Sequence, residues 1–137
     1  MIKIGKYTEV KIIDMKWFSQ EANEAIVSFE VNNKGYQAFG FPVDFEVGNS
    51  YKVEFGFIEG VDVQWDVMFS ENKDKIKDLI IKPSSTWSYS AYGQVLSVNP
   101  VIVDCGIGEF DLAYLSRDER LIGEYIFFDI SRLDIYE

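Results

Sequence analysis

The sequence predicts a mainly β, antiparallel, barrel-like fold with one short helix near residues 71–81, and three observations carry that expectation. Apolar and polar residues alternate over most of the chain, the period of a half-buried strand. A single stretch places apolar residues at helical spacing instead. Two β-rich stretches also echo one another at a constant offset of 74 residues: Val27/Val101, Phe29/Val103, Val31/Cys105, Tyr36/Phe110, Ala38/Leu112, Phe41/Leu115, Val47/Leu121, Tyr51/Tyr125 and Val53/Phe127. Self-similarity at a fixed period points to one supersecondary unit used twice. Phe39/Ala113, Val43/Arg117, Phe45/Glu119 and Phe55/Asp129 break the echo.

Tyr7 to Phe18 reads as a first strand and Glu24 to Asn32 as a second, where Ala25, Val27, Phe29 and Val31 share one face. Asn32-Asn33-Lys34-Gly35 is a hairpin signal, because Asn and Gly tolerate positive φ. Tyr36 to Phe41 returns antiparallel until Pro42, which has no N–H to give a ladder. After Gly48-Asn49-Ser50, the run Tyr51 to Phe57 alternates and turns at Glu59-Gly60. It is expected to return as a strand over Val61 to Val67, with Val53, Phe55, Val63 and Trp65 buried.

Ser70 is placed to cap a helix over residues 71–81, in which Ile76, Leu79 and Ile80 form a stripe and Pro83 ends it. Thr86 to Val98 is the next strand, with Gly93 at a bend, and Asn99-Pro100 turns the chain. Val101, Val103 and Cys105 line one face of a strand that passes through Gly106-Ile107-Gly108 into Glu109 to Leu115. Ser116 to Arg120 is a polar connection with room for one helical turn, and Glu124 to Tyr136 closes the chain. Long bent strand, hairpin, third strand, connector and further strand resembles the order of an OB-type barrel, and the second half fits it better than the first. The chain reads as one compact β domain over 1–137, or as two tandem β units, 1–82 and 83–137.

With 137 residues, 47% hydrophobic and 16% aromatic, the chain is able to build a core without disulfides or metal. No apolar run approaches a membrane span and the N-terminus lacks signal-peptide features, so no membrane association and a cytoplasmic location are expected. Cys105 is the only cysteine, which excludes an intramolecular disulfide and a four-thiolate zinc site. Histidine is absent, which removes the commonest neutral-pH base and every Ser-His or Cys-His nucleophile pair. No phosphate loop or dinucleotide fingerprint is present. The expectation is a protein that is not an enzyme and holds no cofactor or catalytic metal.

The net charge of −10 is concentrated in residues 24–71, with nine acids against two lysines, and 104–137, with nine acids against three arginines. Such a field disfavours nucleic acid and attracts a basic protein. Five carboxylates are the candidate partner-binding residues. Asp62 and Asp66, with Gln64, lie opposite Val61, Val63 and Trp65 on the expected hairpin, and Glu54 is on its neighbouring strand. Glu109 and Asp111 lie on the C-terminal hairpin beside Asp104. Cys105 shares parity with Val101 and Val103 and reads as core. Trp17, Phe18, Trp87, Tyr89 and Tyr92 have the chemistry to stack bases, but Thr86 to Val98 offers no interleaved cation. The leading functional expectation is a non-catalytic acidic protein-binding module, such as an immunity or inhibitor protein that neutralises a basic partner. The alternative is an OB-like module that binds a small ligand or oligomer on an aromatic face.

Overall fold

The computed structural model describes residues 7–137. The strands are β1 (Thr8–Ser19), β2 (Glu24–Val31), β3 (Lys34–Gly40), β4 (Ser50–Glu59), β5 (Asp78–Ile81), β6 (Tyr89–Ser97), β7 (Ile102–Asp104), β8 (Glu109–Asp111) and β9 (Tyr125–Tyr136); the helix α1 is Trp65–Ser70. All nine strands belong to one sheet in the order β3-β2-β1-β4-β9-β6-β7-β8, with β5 added on β6. Every pairing is antiparallel except β3–β9, where Phe39 and Gly40 run parallel to Asp134 and Ile135. That pairing closes a ring of five strands, β1-β2-β3-β9-β4. The ring therefore forms around the first half, using a strand from the second, the reverse of the expectation that the second half carries the fuller order. No helix among the described residues is long and apolar enough to cross a membrane.

The sequence echo reappears in the strand pairing. Phe29 faces Tyr36 in β2–β3 and Val103 faces Phe110 in β7–β8, so both hairpins share a register at the offset of 74. In β1 the register slips after Ile12, and in β6 it slips after Val95, opposite corresponding residues of β2 and β7. Such a bulge inserts one residue and turns the strand. Gly48 and Gly123, at φ of 92° and 91°, each donate a 2.8 Å hydrogen bond to the carbonyl just before the slip, Ile12 and Val95. In return the Ile12 and Val95 amides donate to Asn49 and Glu124, both at 2.9 Å. Between β4 and β9 the structural offset is 75, because β1 pairs Thr8 with Val53 where β6 pairs Ala91 with Phe128. Val53 thus answers Phe128, which is buried, and not the half-buried Phe127.

β4 and β9 are the corresponding strands of the two halves, and they pair with each other, Phe57 facing Leu133 and Ile58 facing Arg132. Across this seam the core is a chain of rings: Phe29–Phe55, Phe55–Phe110, Phe57–Phe110 and Phe57–Phe128 have centroids 5.5, 6.1, 5.8 and 5.5 Å apart. Contacts at these separations add to the burial energy of the rings themselves. Val53, Val101, Val103 and Cys105 are fully buried as expected, whereas Phe55 and Val63 are half-buried and Trp65 is exposed.

The expected hairpin beyond Gly60 does not form. β9 takes one edge of β4 over Glu54 to Glu59 and β1 takes the opposite edge over Ser50 to Val53, so a return strand over Val61 to Val67 finds no continuous free ladder on either edge. Instead the Gly60 amide donates to the Asp129 carbonyl at 3.0 Å and the Val61 amide to Asp129 Oδ2 at 2.8 Å, which turn the chain off the sheet. The short helix is present but lies earlier than expected, at Trp65–Ser70. Residues 75–81 are not helical because the buried Asn72 side chain captures the backbone there: its Nδ2 donates to Ile76 O at 3.0 Å and Ile126 O at 2.9 Å, and its Oδ1 accepts from Ile76 N at 2.7 Å. Asn competes with the helical ladder in this way. Lys75 adopts a φ of 57°, and Leu79, Ile80 and Ile81 then extend as β5.

Candidate functional site

A group of exposed large apolar side chains lies around α1. Its only buried residue is Met68, which leaves Trp65 49% exposed and Val67 and Phe69 each 37% exposed. Trp65 and Phe69, one helical turn apart, stack with centroids 6.1 Å apart and planes at 21°. Val61, just before the helix, is 75% exposed. Large apolar side chains grouped at a surface mark an interaction site more often than isolated ones do.

Two recesses flank the helix. One of about 430 Å³ is lined by Trp65, Phe69, Ser116, Asp118, Arg120, Leu121 and Glu124. The other, of about 250 Å³, is walled by Phe57, Val63, Met68, Leu112, Leu115 and Phe128 and bordered by Glu59, Asp62 and Asp129. Asp129 is buried to 8% exposure, with Lys82 as its ion-pair partner and the Val61 amide on its other oxygen. A buried carboxylate so paired is a structural anchor for the turn into α1.

From Glu59 to Glu71 the chain carries four carboxylates, Glu59, Asp62, Asp66 and Glu71, and no lysine or arginine. None of the four has an ion-pair partner among the described residues. Near them, Asp118 and Arg120 form a two-pronged pair, Nε to Oδ1 at 3.0 Å and Nη2 to Oδ2 at 2.7 Å. The Arg120 side chain and then its amide hold the Asp118 carboxyl down at about 2. The segment from Glu59 to Glu71 is therefore both apolar and anionic, and the recess beside Trp65 and Phe69 also holds the Asp118–Arg120 pair and Glu124.

The structure separates the five expected partner-binding residues. Asp62 lies in the extended segment before α1 and Asp66 in its first turn, both exposed, so no strand row of Asp62, Gln64 and Asp66 exists. Glu54 is half-buried on β4, facing Tyr136 of β9 across the ladder, and borders neither recess. Glu109 begins β8 and borders a separate shallow recess with Thr8, Asn32 and Gly106. Asp111 ends β8, where its Oδ1 accepts from the Ala113 amide at 2.7 Å. Beside them Asp104 pairs with Lys77 at 3.1 Å and accepts from the Gly106 amide. Burial pushes the Cys105 thiol well above its ordinary value. That disfavours the reactive thiolate.

Sequence reasoning missed Glu59, Trp65 and Phe69 as site residues. A signal existed: Trp65, Met68 and Phe69 are spaced i, i+3, i+4, but the alternation of Val61-Asp62-Val63-Gln64-Trp65 reads equally as a strand. A second aromatic group was also partly hidden. Phe18 and Phe39 each meet Trp87 edge to face, at centroids 6.0 and 5.7 Å, and lie tilted to one another at 6.4 Å, and the Arg132 guanidinium lies 4.2 Å from the Phe39 centroid. Tyr89 takes no part, being buried with its hydroxyl donating to Gln37 O at 2.7 Å. No protein-family model, curated protein or solved structure matches the chain.

Proposed function

We propose that the protein is a non-catalytic module that binds a basic protein through the α1 face, as an immunity or inhibitor protein does. The observation that carries this reading is the exposed Trp65–Phe69 pair in a segment, 59–71, whose four carboxylates have no ion-pair partner among the described residues. Trp is the side chain most often found as an energetic anchor of interfaces, and a ring of like charge around it favours an oppositely charged partner and speeds encounter. Of the acidic residues singled out from the sequence, Asp62 just before α1 and Asp66 in its first turn are the two nearest the Trp65–Phe69 pair in the chain. The net charge of −10 also favours solubility when the partner is absent.

The test is capture of proteins from the native lysate on the immobilised chain, in parallel with Trp65→Ala and with Asp62→Lys/Asp66→Lys. The reading expects a basic protein that is retained at low salt, released at high salt and lost on both variants. Retention of neutral or acidic proteins, indifferent to salt and to both variants, contradicts it.

One observation favours a second reading. The ring order β1-β2-β3-β9-β4 matches the order of an OB-type barrel, and Phe18, Phe39, Trp87 and Arg132 combine rings with the cation that the sequence of Thr86 to Val98 lacked. Quenching of Trp fluorescence by a short single-stranded oligonucleotide, removed by Trp87→Phe, supports that alternative; no quenching rejects it for nucleic acid.

A further inference from the structure

The smaller recess beside α1 has a counterpart in the first half, where it is filled. There β3 runs past its hairpin and pairs Phe39 and Gly40 with Asp134 and Ile135 of β9. Carried over by the offsets of 74 and 75, the same pairing in the second half sets Ala113 and Tyr114 against Glu59, the last residue of β4, and Gly60 just beyond it. It does not form. β8 stops at Asp111, Ala113 takes a φ of 53°, and the space between Glu59–Gly60 and Leu112–Leu115 stays open as the recess of about 250 Å³.

The filled half also shows which chemistry satisfies this position. Asp134, which corresponds to Glu59, is buried and held by Arg132, Nε to Oδ1 at 2.7 Å and Nη2 to Oδ2 at 3.2 Å, while the same guanidinium covers the Phe39 ring. In the open half Glu59 has no ion-pair partner among the described residues, Lys82 is taken up by Asp129, Asp62 lines the same recess, and Phe57 and Phe128 supply aromatic walls. A volume of about 250 Å³ is below the usual range for drug-sized ligands and suits one side chain. A guanidinium is the group that both stacks on rings and forks onto carboxylates, and its methylene stem matches the apolar wall.

We infer that this recess takes an arginine side chain of the protein partner, with its guanidinium at Glu59 and Asp62. The assignment rests on the reading of the α1 face as a docking surface for a basic protein, and it names the residue type that enters.

The probe is N-acetyl-arginine amide titrated into the whole protein, with N-acetyl-citrulline amide, uncharged and nearly the same shape, as control. Amide resonances of Gly60 and Val61 report the mouth of the recess. The expected result is saturable movement with the arginine compound and none with citrulline. Glu59→Gln/Asp62→Asn should weaken binding by roughly tenfold, the scale of two partly exposed charge pairs. Unmoved Gly60 and Val61 resonances, or equal movement with citrulline, overturn the assignment in the wild-type protein alone, whatever the variant does. If that happens while the basic protein is still captured and still lost on Asp62→Lys/Asp66→Lys, the pocket assignment has failed and the docking face stands. Arginine binding without capture of any basic protein keeps the pocket and removes the docking reading.

Discussion

Met68 is the only side chain of α1 that is buried, so the other large residues of that helix are free to serve a partner at little cost to the fold. Trp65→Ala should therefore lower stability by roughly 1 kcal/mol, since only about half of the indole surface leaves water. Phe110→Ala, at the centre of the ring chain, should cost about 3 to 5 kcal/mol through lost burial and an unfilled cavity. Denaturant unfolding of both variants measures the contrast, and equal losses would place Trp65 in the core after all. Tyr89 gives a residue-level signature of pH. Burial raises its hydroxyl from 10.0 to about 12, against a smaller lowering by its hydrogen bond to Gln37. The folded state thus keeps the proton longer than the unfolded chain, so this stabilisation is complete below pH 10.0 and is lost as pH rises through about 12. Urea midpoints followed across that window should fall, and Tyr89→Phe should flatten the fall while lowering stability at neutral pH.

Local elements were legible where their partners are close in sequence. The β2–β3 hairpin was readable because alternation on both sides of Asn32-Asn33 fixes parity, and both Asn residues take positive φ, 53° and 67°. The segment after Gly60 was not, because what decides its conformation is β9, more than 60 residues later, occupying the β4 edge and presenting Asp129 to the Gly60 and Val61 amides. Helical spacing at Ile76, Leu79 and Ile80 was likewise overruled by one residue. Asn72→Ala should cost about 1 to 3 kcal/mol, because Ile76 N, Ile76 O and Ile126 O lose a buried partner together. Amide hydrogen exchange checks the location: faster exchange is expected at Ile76 while β2 and β3 stay protected. Uniform loosening of the whole sheet would contradict that local account.

At the scale of the whole molecule, two similar strand patterns meet along β4–β9, and only one of them closes into a ring. The echo in the sequence revealed the repetition, and its one-residue error between β4 and β9 reflects offsets that differ from strand to strand. It carried no sign of which half closes, because β3–β9 joins residues some 95 positions apart and is set by how the halves pack. Of the site, the acidity of residues 59–71 was visible in composition, whereas the exposure of Trp65 and Phe69 follows from the helix that replaced the expected strand. Acidic fields act at a distance of about 8 Å at physiological salt, so they govern encounter more than residence. The most direct measurement of the central claim is the association rate of the captured basic protein as a function of ionic strength, for the wild type, Asp62→Lys/Asp66→Lys and Glu109→Lys/Asp111→Lys. The account expects the wild-type rate to fall steeply with salt, the α1 reversal to slow it and remove most of that dependence, and the β8 reversal to change it less. A rate indifferent to salt and to the α1 reversal would contradict the acidic docking face.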